Sequence, residues 1–117
     1  MKPVWKLVWT LSLLVTAICA QNIVTPFTLA DITGDGGVHA LASTKTTART
    51  VLVVCKSANS AVVQVGDSNV SSSRGTPCAA GAAVSYPPQA TINSYYDLST
   101  IYYLAQSGDK ISVQYTR

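Results

Sequence analysis

Glutamate is missing from this chain, and charged residues of every kind make up only 11% of it. There is one histidine, His39, and one phenylalanine, Phe27. Both tryptophans, Trp5 and Trp9, fall within the first twenty residues. Each scarcity removes a class of chemistry. Glycoside hydrolysis needs two carboxylates set across a cleft, and the five aspartates at 31, 35, 67, 97 and 109 all sit in turn-like surroundings. A Ser-His-Asp arrangement would have to use His39 with Ser68 or Ser107, and no G-x-S-x-G elbow accompanies them. No window keeps a helical period, so no phosphate loop opens a helix. These scarcities lead to the expectation that the protein is not an enzyme.

One long apolar run is present, and it lies at the N-terminus. MKPVWKLVWTLSLLVTAICA places Lys2 and Lys6 first, an apolar stretch over 7–18 next, and the small residues Ala17, Cys19 and Ala20 last. That order is that of a secretory signal. The run is short for a membrane span, which takes about 20 residues. Cleavage is expected after Ala20, with Cys19 as the alternative. A lipidated Cys19 would place Ile18 where a small residue is wanted. Removing 20 residues from 117 leaves 97, one small domain over 21–117 with no membrane span. It holds Lys45, Arg49, Lys56, Arg74, Lys110 and Arg117 against five aspartates, a net +1. The cations are scattered and form no patch, so nucleic-acid binding has little electrostatic footprint and no nucleic-acid partner is expected.

Two cysteines, Cys55 and Cys78, survive cleavage. In an exported chain they read as one disulfide, with two buried thiols as the alternative. A loop of about 24 residues closed in this way is worth about 3.5 kcal/mol in the chain-entropy picture. No third ligand accompanies them, so no metal site is expected there.

What remains is β-rich: Val, Ile, Thr and Tyr punctuated by Gly, Pro, Asn, Asp and Ser. Lys110–Thr116 alternates, with Ile111, Val113 and Tyr115 on one face. Thr100–Ala105 precedes it across a Gln-Ser-Gly-Asp turn, and the two are expected to form a hairpin. Arg49–Ser57 is a near-continuous apolar run, expected as a central strand, with Ala61–Gly66 as its hairpin partner. Val38–Ser43 and Ala82–Tyr86 are further candidates, the latter stopped by Pro87-Pro88. Residues 23–29 are expected to be extended, with Pro26 confining them to an edge. The expectation is an all-β protein: a small antiparallel β-sandwich or jelly-roll-like barrel of six to eight short strands.

The stretch VVQVGDSNVSSSRGTPC over 62–78 raises a question of its own. A clean strand enters a loop of small polar residues that ends at a cysteine. Such a loop has few apolar contacts, and Cys78 pins it to the Arg49–Ser57 strand. The order V-x-V-G-D-S-x-V-S over 63–71, then residues 75–81, D-L-S-x-I-Y over 97–102 and G-D-K-I-S-V-x-Y over 108–115 resembles small β-sandwich proteins of tailed-phage and prophage virions. The resemblance spans about half of the mature chain. It implies a compact sandwich that decorates or completes a particle, with no catalytic residue. The signal and the cysteine pair depart from that family and imply an exported relative.

Three further features carry chemistry. Asp31, Thr33 and Asp35 space oxygens as a calcium loop begins, but the twelfth position is Ala42, so an EF-hand is excluded. The alternatives are an Asp/Gly turn and a looser calcium site. One of Tyr102 and Tyr103 must point inward, because neighbours on a strand alternate. Tyr95 and Tyr96, in a polar segment, are expected to be exposed. Tyr95, Tyr96 and Tyr103 are therefore candidate contacts for a partner subunit or a glycan. Asn69-Val70-Ser71 is a glycosylation acceptor pattern. Together these features favour an exported structural subunit that assembles with itself or another surface subunit, through an arm over 21–32. A monomeric carbohydrate-binding or adhesion module is the alternative. Secretion, the cell surface and the periplasm all fit.

Overall fold

The computed structural model describes residues 25–91 and 93–117, so the expected signal and its cleavage site lie outside the described residues. The chain is all-β, with eleven strands among the described residues, every pair antiparallel. Two sheets form a sandwich. In the first, β5 (Thr50–Cys55) lies between β11 (Lys110–Thr116) and β8 (Ala83–Tyr86). Beyond β11 the edge is completed by two dipeptides, β1 (Phe27–Thr28) and β2 (Ile32–Thr33). The second sheet runs β3 (Val38–Ala40), β10 (Tyr102–Leu104), β6 (Val63–Gly66), β7 (Thr76–Cys78). A small ribbon joins β4 (Thr47–Ala48) to β9 (Tyr96–Asp97), and a 3-10 turn follows over Leu98–Thr100.

Alternation explains the core. Val51, Val53 and Cys55 of β5 point inward and are buried, as do Ile111, Val113 and Tyr115 of β11. Val63 and Val65 of β6 and Tyr103 of β10 meet them from the second sheet, while Leu41, Leu98 and Ile101 close one end. Fully burying each such aliphatic side chain is worth about 1.5–3 kcal/mol. Cys55 and Cys78 are joined, so the expected disulfide bridges the two sheets, from the end of β5 to the end of β7. The expected central strand and the alternating C-terminal strand are both found. The strand count exceeds six to eight because β1, β2, β4 and β9 are dipeptides, too short to show a period.

Both expected hairpins are wrong. β10 and β11 do not pair with each other, nor do β5 and β6; each pair is split between the sheets. The connectors 56–62 and 105–109 are sheet crossings that lie side by side. Asn59 explains why. Its Nδ2 donates to the Lys110 carbonyl at 2.9 Å and its Oδ1 accepts from the Lys110 N–H at 2.8 Å. The side chain thus shares the Lys110 carbonyl with the Lys56 N–H, 3.2 Å away, and fastens the start of β11. Beside it the buried Asp109 carboxylate accepts from the Ser60 N–H at 2.8 Å, the Ser60 hydroxyl at 3.0 Å and the Ala61 N–H at 3.1 Å. The 34–36 loop packs on the same connector, with the Gly34 N–H donating to the Asp109 carbonyl at 2.7 Å. A side chain on Gly34 would place its Cβ 2.5 Å from that of Ala105, so only glycine allows this approach.

The Ser60 N–H, then the Ala61 N–H and the Ser60 hydroxyl, hold the Asp109 carboxyl below its ordinary value of 3.8. A carboxyl lowered in the folded state stabilises the fold above the unfolded value and loses that contribution as pH falls through the folded one. Stability should therefore decline below about pH 4. Asp109→Asn should lower the melting temperature at pH 7 and flatten the acid limb of the stability profile. Asn59→Ala removes two hydrogen bonds and should cost about 1–2 kcal/mol. Thermal melts from pH 2.5 to 7 measure both; unchanged melting of either variant would contradict the crossing arrangement.

Candidate functional site

The five aspartates have mostly structural work. Asp97 accepts from the Ser99 hydroxyl at 2.8 Å, the Ser99 N–H at 3.0 Å and the Thr46 N–H at 3.1 Å, which lowers its pKa in that order of cause. It ties the β4–β9 ribbon to the 3-10 turn. Asp67 accepts from the Asn69 N–H at 2.9 Å and shapes the turn after β6. Asp31 lies 3.4 Å from the Lys56 ammonium. Asp35 accepts from the Gly37 N–H at 2.8 Å, and its two oxygens lie 2.8 and 2.9 Å from His39 Nε2. These two contacts, the Gly37 N–H first, lower the Asp35 pKa.

Of the two alternatives for this stretch, the Asp-Gly turn is the one these contacts build. Asp31 turns to Lys56, Asp35 turns to His39, and Thr33 is exposed on β2, paired through its backbone with Lys110. The spacing that suggested a cation serves an Asp-Gly turn. No group of three or more His, Cys, Asp or Glu side chains comes together among the described residues. His39 spends its ring nitrogen on Asp35, and the ring lies 6.1 Å from that of Tyr103. Ser68 and Ser107 sit in the β6–β7 loop and the β10–β11 connector and have no described contact with it.

The tyrosines divide differently from expectation. Tyr103 points inward and is 4% exposed, and burial, with Asp35 nearby, pushes its phenol up. Tyr102 is its half-exposed neighbour. Tyr96 is also turned in: its hydroxyl donates to the Pro87 carbonyl at 2.7 Å and its ring meets Tyr86 edge-on at 5.4 Å. Of the three candidate contact residues, Tyr95 alone is presented to solvent, 52% exposed, with the Arg49 guanidinium 5.6 Å above its ring. A two-ring Tyr95–Tyr96 platform does not form.

A cluster that the sequence did not announce lies at the β1–β11 edge of the first sheet. Phe27 of β1, 46% exposed, stacks on Tyr115 of β11 at 5.2 Å, and the Arg117 guanidinium lies 4.9 Å from the Phe27 ring. Next to the stack is a shallow, largely apolar groove of about 190 Å³ between Pro26, Leu52, Thr50 and Thr116. Its residues come from both ends of the chain and from β5, so no local pattern marks it. No buried side-chain polar atom among the described residues lacks a hydrogen-bond partner, so none is aimed unpaired into the groove. Asn69 is exposed at a turn, with Val70 buried beneath it.

No helix among the described residues is long and apolar enough to cross a membrane. No protein-family model, curated protein or solved structure matches the chain. Tyr96→Phe should cost about 1 kcal/mol through the lost bond to Pro87, whereas Tyr95→Ala should change stability by less than about 0.5 kcal/mol. Chemical denaturation of the two variants checks the assignment; the reverse order would contradict it.

Proposed function

We propose that this chain is an exported, non-enzymatic structural subunit that assembles with copies of itself by exchanging its N-terminal arm. The observation that carries the reading is the edge of the five-stranded sheet. That edge is supplied by β1 and β2, which pair with β11 over two residues each, and by the Leu29 N–H, which donates to the Val113 carbonyl at 3.0 Å. The strand residues Phe27, Thr28 and Thr33 stay exposed, and only Leu29 and Ile32 pack partly on the core. β11 offers the same hydrogen bonds to an arm from a neighbouring copy, so exchange conserves every contact. A longer run of pairing, or a buried arm, would hold it in place.

Other features support the reading. The aspartates serve turns, ion pairs and sheet crossings rather than facing a cleft. The sheet-bridging disulfide suits an oxidising compartment, the cell exterior or a periplasm. The likeness of 63–71, 97–102 and 108–115 to virion sandwich proteins points to the same kind of work, completing or decorating an ordered array.

Register supplies a direct test. Leu29 and Val113 form a hydrogen-bonded pair, so Thr28 and Gln114, the preceding pair, form a non-hydrogen-bonded one. Such pairs bring Cα atoms to about 4.5 Å, within reach of a disulfide. The double variant Thr28→Cys/Gln114→Cys of the mature chain, oxidised when assembled, should give a ladder of covalent multimers on a non-reducing gel. Linked monomer alone would overturn arm exchange.

A further inference from the structure

The polar loop after β6 carries a motif that the assembly reading leaves unused. The chain has four asparagines, at 22, 59, 69 and 93, and only Asn69 is followed two positions on by a serine or threonine, Ser71. That spacing, with no proline between, is the acceptor pattern for an N-linked oligosaccharide. The structure separates this asparagine from the others it describes. Asn59 commits its whole carboxamide to the Lys110 backbone. Asn93 is exposed at a turn but has Tyr95 two positions on. Asn69 is exposed, and its backbone N–H is held by the Asp67 carboxylate at 2.9 Å. Its carboxamide has no hydrogen-bond partner among the described residues.

The setting suits a bulky, hydrated group. Val70, the next residue, is 4% exposed, so the loop is anchored in the core while Asn69 stays in solvent. Ser71 and Arg74 exchange two backbone hydrogen bonds, at 2.9 and 3.2 Å, which hold the turn beyond it. Ser68, Ser72, Ser73 and Gly75 are exposed and small, and leave room for a sugar above them. We propose that Asn69 is glycosylated during export. Asn69 Nδ2 attacks the anomeric carbon of an oligosaccharide carried on a polyprenyl diphosphate. The N–C bond forms as the C–O bond to the diphosphate breaks; the polyprenyl diphosphate leaves, and the amide gives up one proton. Ser71 supplies the hydroxyl by which a membrane-bound transferase recognises the acceptor. The small polar character of 66–75 then has a use: the loop is a seat for the sugar. The loop joins β6 to β7, and β7 lies against β8. The arm pairs with β11, at the opposite edge of the first sheet from β8, so a sugar at Asn69 leaves that edge open. The inference rests on the reading of the chain as exported, but not on self-assembly.

Secretion of the full chain from cells that perform N-linked transfer tests it. Protein recovered from the medium should weigh more than its polypeptide by one oligosaccharide. Peptide-N-glycosidase should remove the excess and leave aspartate at position 69. Asn69→Gln and Ser71→Ala should each lose the excess completely, and Ser71→Thr should keep it. Asn69→Gln retains the backbone bond to Asp67, so it should melt as the unglycosylated wild type does. A secreted chain at the bare polypeptide mass, or an excess that survives Asn69→Gln, would overturn the inference. A chain retained in the cell with its first twenty residues attached would overturn both the inference and the exported reading. A glycosylated chain that stays monomeric would support the inference and remove self-assembly alone.

Discussion

The Asp109 carboxylate holds together the part of the fold on which the rest depends. By accepting three hydrogen bonds from Ser60 and Ala61 it binds one sheet crossing to another. Asn59 extends the join to the backbone of Lys110, and Gly34 brings a third crossing against Ala105. The Cys55–Cys78 bridge lies at the same end, where the 79–82 turn carries the chain from β7 to β8. Four passages between the sheets are thus concentrated at one end and fastened there. Successive strands can then sit in different sheets without a long connection. The opposite end is left to shorter devices: the β4–β9 ribbon, the Asp97 cap and the stack of arginines on aromatic rings.

The strands were legible in the sequence and their partners were not. Alternation placed Ile111, Val113 and Tyr115 on one face, and the apolar run 49–57 marked a central strand; both follow from the two-residue period of a pleated strand. Period says which face of a strand is buried, but not which sheet receives it. The four-residue stretch Gln106–Asp109 suits a hairpin or a crossing equally. The choice is made by Asn59, Ser60 and Gly34, dozens of residues away. The cysteine pair was legible because only Cys55 and Cys78 lie beyond the first twenty residues. The Asp31–Asp35 spacing left two alternatives because an Asx turn and a cation loop share the same Asp and Gly residues, and the positions of Lys56 and His39 are not written in that spacing.

The candidate site follows the same division. Of Tyr95, Tyr96 and Tyr103, two are held by partners that local sequence does not name, Pro87 and the core. The Phe27–Tyr115–Arg117 stack joins residues from opposite ends of the chain and becomes visible only in three dimensions. What the molecule presents outward is a short arm paired over two residues at a time and a few exposed rings and valines, Phe27, Tyr95, Val38 and Val62. The arm is the feature on which the proposed assembly rests, and the aspartates are engaged in turns, ion pairs and a sheet crossing.

The central claim is that this sandwich is built to join copies of itself, and the native mass of the oxidised chain over residues 21–117 tests it most directly. Light scattering across a wide concentration range should show a defined multiple of the chain mass or a mass that climbs with concentration. A mass of one chain at every concentration would contradict the account.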